Sequence, residues 1–185
     1  TIAPNLFADS CGEVIKYGVL CNPGFFASLE KTPLTKSCDD HERLEEVIAR
    51  CVEIKRDVVS NDECERGLRQ TLNLGHTIGH AVESANEYRL GHGSSIAAGM
   101  CIMARACAKR GWCDQDVAHR IEATVAAHGL PTSTDFDVDT LFRHAKADKK
   151  RHGDTINIVA IEAIGSVSIK TLPLDEFRTL IEQGL

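Results

Sequence analysis

The sequence predicts a mainly helical, all-α domain carrying one small C-terminal β-hairpin. Three observations carry that expectation. Apolar residues recur at helical spacing in successive segments between residues 8 and 146. One of them, 94–110, is apolar nearly all round, as a buried central helix is. After Gly153 the pattern switches to alternation rich in Ile and Val.

Residues 8–20 open with Asp9 and Ser10 as candidate caps and continue through Val14, Ile15, Val19 and Leu20. Residues 39–59 start with Asp39 and Asp40 and place Leu44, Val47, Ile48, Cys51, Ile54, Val58 and Val59 at helical spacing, as in a long amphipathic helix. Asn61 and Asp62 read as the cap of a helix near 62–71. The segment 74–87 reads as a helix with His76, His80 and Glu83 at i, i+4 and i+7. A short polar loop, 87–93, leads to the central helix at 94–110. Residues 114–128 form a helix stopped by Gly129 and Pro131, and 137–146 a short one after Asp137. The alternating run predicts a hairpin near 155–171, turning at Ile164-Gly165, and Asp175 reads as the cap of a last helix.

The 185 residues, 43% hydrophobic and 26% charged, suffice for one sizeable core. A net charge of −6 argues against a nucleic-acid binder, and no apolar run approaches the length of a membrane span. The opening, TIAPNLFADS, lacks the basic start and apolar block of a signal peptide; without Met it reads as a piece of something longer. The eight cysteines form no C-x-x-C pair, and with no export signal they read as reduced, buried thiols of a cytoplasmic protein. Neither a G-x-G-x-x-G nor a P-loop pattern is present.

The stretch LNLGHTIGHAVESANEYRLGHG holds His76, His80 and His92, each beside a glycine. Two or three neutral imidazoles meeting at one point are a common zinc arrangement, and a carboxylate is a natural further ligand. Glu13, in an otherwise apolar helix, is a candidate. Histidines next to glycine are also ordinary caps or satisfied core groups, and spacing leaves both readings open. The H-x-x-x-H pair lacks the Glu of a zinc peptidase at its second position.

Five segments carry a resemblance: E-V-I-K-Y-G at 13–18, I-K at 54–55, D-E-C-E-R-G-L-R-Q-T-L-N-L-G-H-T-I-G-H-A at 62–81, G-H-G at 91–93 and D-K-K at 148–150. In this order and spacing they resemble the 3-dehydroquinate synthase family, over essentially the whole chain but only that family's C-terminal helical half. The resemblance implies a dehydroquinate synthase-like α domain at 1–185 that binds zinc and substrate. The N-terminal NAD-binding domain is expected to be absent from this chain.

The resemblance further implies Zn2+, or another divalent metal such as Co2+, held by Glu13, His76 and His92. His80 becomes a proton-relay group facing substrate, with Lys16 and Asn73 as further catalytic residues. Lys55, Arg69, Lys149 and Lys150 become the cations for a seven-carbon keto-sugar acid phosphate. Arg69 suits a carboxylate and the lysines a phosphate, with Asn73 one helical turn beyond Arg69. Without the motif, Lys55 and Lys149 would read as solvated surface charges. Asp62 and Glu65 match acids near the site, or are helix N-terminal charges. The implied reaction is an internal redox cycle on NAD+: hydride removal, phosphate elimination, hydride return, ring opening and aldol closure to 3-dehydroquinate. The implied whole enzyme is a homodimer, with no nucleic-acid or membrane partner; the lone domain would be inactive. The glycines are expected to let substrate and metal approach the backbone. One departure stands out: the family's H-G-E reads His92-Gly93-Ser94 here, removing a carboxylate that would support His92. A sister sugar-phosphate cyclase and a non-catalytic helical module are the competing readings. Lys55 and Arg69 favour a substrate that bears a carboxylate.

Overall fold

A computed structural model of the protein describes residues 2–61, 67–148 and 154–185. Among these, the chain runs α1 (Pro4–Cys21), α2 (Pro23–Lys31), α3 (His41–Asn61), α4 (His76–Ala85), α5 (His92–Lys109), α6 (Gln115–Ala127), α7 (Val138–Asp148), β1 (Thr155–Ala163), β2 (Ser166–Pro173) and α8 (Leu174–Gly184). Short 3₁₀ segments lie at Leu34–Lys36 and Leu68–Asn73. This is the expected mainly helical domain with one antiparallel hairpin.

The all-round apolar character of α5 has the expected cause. It packs against α1, α4, α6, α8 and β1, and Ile96, Met100, Cys101 and Ile102 are fully buried. The short side chains on α5 permit backbone-close crossings. A Cβ at Gly99 would lie 2.4 Å from the Gly75 carbonyl oxygen and 2.5 Å from the Gly79 nitrogen. Hence α4, which carries two of the histidines, rests directly on the central helix.

The hairpin pairs Thr155 with Pro173 through Ala163 with Ser166, with an irregularity between Ile161 and Ala163. Its turn is at Ile164-Gly165, as the alternation predicts. Gly165 (φ 88°) takes the left-handed conformation and donates its N–H to the Val19 carbonyl at 2.9 Å. The tip of the hairpin is thereby fastened to the end of α1.

Several local expectations are corrected. Helix α1 begins at Pro4, so Asp9 and Ser10 lie within it. Helix α2 has no counterpart in the sequence reading. It is one of the short helices, started by Asn22 accepting the Phe25 N–H at 2.9 Å with Pro23 in its first turn. Asn61 is the last residue of α3, and Asp62 lies outside the described residues. Of the helix expected near 62–71, the described part is 3₁₀, not α. Helix α5 starts at His92, so that residue is helical and not in the preceding loop. Asp175 sits in the first turn of α8, whose cap position is Pro173. Asp40 and Asp137 do cap their helices, accepting the N–H of Arg43 at 3.1 Å and Thr140 at 2.8 Å. The cysteines are mixed. Cys11, Cys101 and Cys107 are buried free thiols, but Cys21 and Cys38 are exposed. Among the described residues, no helix is long and apolar enough to cross a membrane.

His128 joins α6 to the loop before α3. Its side chain is buried; Nδ1 lies 2.8 Å from the Thr124 carbonyl, and Nε2 accepts the Leu34 N–H at 3.1 Å. The Nε2 bond requires the neutral ring, and burial pushes the His128 pKa down. A folded pKa below the unfolded value of about 6.5 means the unfolded chain binds the extra proton first. The contribution is complete above that pH and is lost as pH falls through it. Urea denaturation at pH 7.5 and 5.5 should show lower stability at the acid pH. His128→Ala should cost about 1–3 kcal/mol at pH 7.5 by stranding the Leu34 N–H and should weaken that acid sensitivity.

Candidate metal centre

Four donors from three helices face one another. Glu13 comes from α1, His76 and His80 from α4, and His92 from the first turn of α5. Glu13 Oε1 lies 3.3 Å from His76 Nε2 and 3.6 Å from His92 Nε2. The ring of His80 is 5.3 Å from that of His76 and 5.7 Å from that of His92, centre to centre. The ligand atoms of His76, His80 and His92 all lie within 4.8 Å of one another.

The orientation of two rings is fixed from behind. His76 Nδ1 sits 3.1 Å from the Leu74 carbonyl oxygen. That oxygen can only accept, so Nδ1 carries the proton and Nε2 presents a lone pair. His92 Nδ1 sits 3.3 Å from Glu83 Oε2, which fixes the same tautomer when Glu83 is ionised. Two imidazoles therefore aim Nε2 at one carboxylate oxygen, each held through its other nitrogen by an acceptor. This is the usual support of metal-bound histidines. Burial, and next the Lys16 ammonium, push the His76 pKa down to about 4, so the ring is neutral near pH 7.

The carboxylate is divided between two tasks. Lys16, buried at 3% exposure, sits 2.7 Å from Glu13 Oε2 and donates to the Leu72 carbonyl at 2.8 Å. The other oxygen, Oε1, is buried and makes no hydrogen bond among the described residues. A buried carboxylate oxygen without a donor, faced by two imidazole nitrogens, is an arrangement a divalent cation completes. The residues thus fit the metal that the sequence implies.

The glycines have a role other than the expected one. Gly75 (φ 77°) supplies the left-handed residue before α4, and Gly79 and Gly99 let α4 meet α5. Gly12 and Gly93 do the same for α1 and α5: a Cβ on Gly12 would lie 2.1 Å from the Gly93 carbonyl oxygen. The glycines admit neighbouring helices, and helix crossings bring the donors together.

Of the remaining expected site residues, Arg69, Asn73 and Lys55 lie on adjoining elements. Arg69 is half-buried and Asn73 exposed, both on the 3₁₀ segment Leu68–Asn73, which packs against α3. At three residues per turn, positions four apart point about 120° from each other. Arg69 and Asn73 therefore do not share a face as they would on an α-helix. Lys55 is exposed on α3. Lys149 and Lys150, like Asp62 and Glu65, lie outside the described residues.

Two carboxylates were not read from the sequence as site residues. For Glu83 the available signal is its i+7 spacing from His76, which places it on the histidine face. Asp9 carried none, because its partners are more than eighty positions away: its oxygens accept from Gly93 N at 3.0 Å, Ser94 N at 2.8 Å and Ser94 Oγ at 2.7 Å. The carboxylate missing at position 94 is thus answered from α1, while Glu83 supports the His92 ring directly.

A helical domain, capped by a hairpin and carrying converging carboxylate and imidazole donors, defines a dehydroquinate synthase-like α domain. The model of the 3-dehydroquinate synthase C-terminal family matches residues 10–151, and the chain belongs to that family. It is 37% identical over 187 residues to a 3-dehydroquinate synthase of Pseudoalteromonas atlantica, covering 98% of this chain and 52% of that protein. It is 38% identical over 172 residues to one of Shewanella loihica, covering 91% and 48%. The chain therefore spans about half the length of these relatives. Among solved structures, ValA, a 2-epi-5-epi-valiolone synthase of Streptomyces hygroscopicus with NAD+ and Zn2+ bound, superposes with a TM-score of 0.85 at 20% identity, covering 100% of this chain and 52% of that one. A 2-deoxy-scyllo-inosose synthase complexed with carbaglucose-6-phosphate, NAD+ and Co2+ gives 0.78 at 21%, covering 98% and 52%. At these identities the likeness is one of fold.

Proposed function

We propose that this chain is the metal- and substrate-binding part of a 3-dehydroquinate synthase. The whole enzyme would convert 3-deoxy-D-arabino-heptulosonate 7-phosphate to 3-dehydroquinate and phosphate. The observation that carries the reading is the convergence of Glu13 Oε1, left without a hydrogen bond among the described residues, with the Nε2 atoms of His76 and His92. In this reading Glu13, His76 and His92 hold Zn2+ or Co2+, and NAD+ is bound mainly by an N-terminal domain outside this chain. When bound, the metal supplies Lewis acidity at a substrate hydroxyl and the nicotinamide accepts and returns the hydride.

The chain's own residues have distinct tasks. Lys16 neutralises one oxygen of Glu13 and leaves the other available. Glu83 and the Leu74 carbonyl fix the tautomers of His92 and His76. His80, beside both rings, moves a proton at a substrate oxygen, and Asn73 hydrogen-bonds substrate. Arg69, Lys55, Lys149 and Lys150 pair the substrate's carboxylate and phosphate. The same fold in cyclases acting on other sugar phosphates makes a sister cyclase the second reading; the 37–38% identity to 3-dehydroquinate synthases favours the first.

The test is phosphate release by this chain joined to its N-terminal half. Release is expected from the heptulosonate phosphate and not from glucose 6-phosphate or sedoheptulose 7-phosphate, and only with NAD+ and a divalent metal. The lone 185-residue chain should bind metal weakly and show no turnover. Release from another sugar phosphate instead would assign a sister cyclase.

A further inference from the structure

We propose that Asp9 is a positioning residue of the metal centre. Its carboxylate ties the first turn of the His92 helix to the Glu13 helix and so fixes the separation of those two ligands. The inference rests on the metal reading above.

Helix α5 has no cap of its own. Its cap residue is Gly91, which has no side chain to accept the free N–H groups of the first turn. Asp9 accepts them from another helix. Oδ2 takes the Gly93 N–H at 3.0 Å, and Oδ1 takes both the Ser94 N–H at 2.8 Å and the Ser94 hydroxyl at 2.7 Å. Every bond uses a charged acceptor at the positive end of a helix, where such bonds are roughly twice as strong as neutral ones.

The surroundings are shaped for this contact. A Cβ at Gly91 would lie 2.1 Å from Asp9 Oδ1, and one at Gly93 would lie 1.8 Å from the Asp9 backbone oxygen. The cap position is therefore glycine for a stated reason: any other residue would push the foreign carboxylate out. Asp9 lies one helical turn before Glu13, and Ser94 lies two residues after His92. The three bonds thus join the two ligands through a short, backbone-anchored path. Without them, the Gly12–Gly93 crossing alone sets the His92 turn against α1, and the separation of Glu13 Oε1 and His92 Nε2, now 3.6 Å, is held less firmly.

The experiment uses the 185-residue chain with Co2+ alone as the probe. Affinity and site geometry are read from the visible absorption of bound Co2+, and stability from thermal unfolding. Asp9→Asn keeps the shape of the side chain and removes its charge. It should raise the Co2+ Kd about 10–100-fold, the usual effect of losing support behind a ligand, and shift the absorption bands. Asp40→Ala, which loses the cap of α3, should lower the melting temperature with the parent's Kd and spectrum. A folded Asp9→Asn that melts earlier yet binds Co2+ with the parent's Kd and spectrum makes Asp9 a stabilising cap only and overturns the proposal. So does an equal loss of affinity in Asp40→Ala. If Asp9→Asn does not fold, Ser94→Ala, which removes one of the three bonds, decides on the same readout: weaker binding supports the proposal and unchanged binding overturns it. Absence of Co2+ binding by the parent chain overturns the metal reading and this inference together; unchanged binding in the variants overturns this inference alone.

Discussion

In the chain joined to its N-terminal half, His92→Ala is expected to lose the metal and all phosphate release, while His80→Ala keeps the metal and slows turnover by roughly 10²–10⁴-fold. The two rings are neighbours, with centres 5.7 Å apart, so proximity does not separate their roles. What marks His92 as the ligand is its pairing on both ring nitrogens. His92 has Glu83 behind Nδ1 and Glu13 ahead of Nε2, the two-sided arrangement of a ligand. Removing it takes away a donor from a site with few to spare. In the proposed reading His80, beside these rings, serves as the proton-transfer group. Metal content and phosphate release, measured on both variants, check the division. If His80→Ala loses the metal and His92→Ala retains it, the roles are reversed. Full activity in both would overturn the enzyme reading itself.

Gly99→Ala is expected to destabilise the domain by about 3 kcal/mol and to weaken metal binding with it. The added Cβ would meet the Gly75 oxygen at 2.4 Å, the Gly79 nitrogen at 2.5 Å and the Gly79 Cα at 2.8 Å. All three are backbone atoms, so no rotamer change relieves the clash; α4 must lift off α5. His76 and His80 ride on α4 and His92 on α5, so the lift separates donors that this crossing holds together. Urea denaturation and Co2+ titration of the variant provide the check. Near-parental stability would show that the two helices slide freely, contrary to the packing described.

The periodic part of the fold was legible in the sequence. The all-round apolar run at 94–110 gave the central helix, and the change to alternation after Gly153 gave the hairpin and its turn at Ile164-Gly165. Periodicity reports which face is buried; it does not report helix ends fixed by distant partners. Asp9 looks like a cap for its own helix because Asp near a helix start usually is one, but its partners are Gly93 and Ser94. Helix α2 was missed because it is only nine residues long and lies between turn-forming residues, too short for a repeating stripe. The 3₁₀ path of Leu68–Asn73 was not legible either, since an apolar pattern does not distinguish it from an α-helix over so few residues. The donors themselves were legible as a group by resemblance. Their supports, Lys16 to Glu13 and Glu83 to His92, needed three dimensions.

The fastening of the hairpin tip to Val19, together with α8 on the central helix, gives the domain an order of birth. Gly184 lies so close to α5 that a Cβ there would sit 2.2 Å from the Ile102 carbonyl oxygen, and Gly165 is bonded to the end of α1. On a ribosome, the helices bearing His76 and His92 emerge well before either contact can form. Until α8 arrives, one flank of α5 has no cover. The nascent chain thus passes through a stage with an exposed apolar helix, the kind of state that aggregates or engages chaperones. The packing of the central helix is complete only once α8 lies against it.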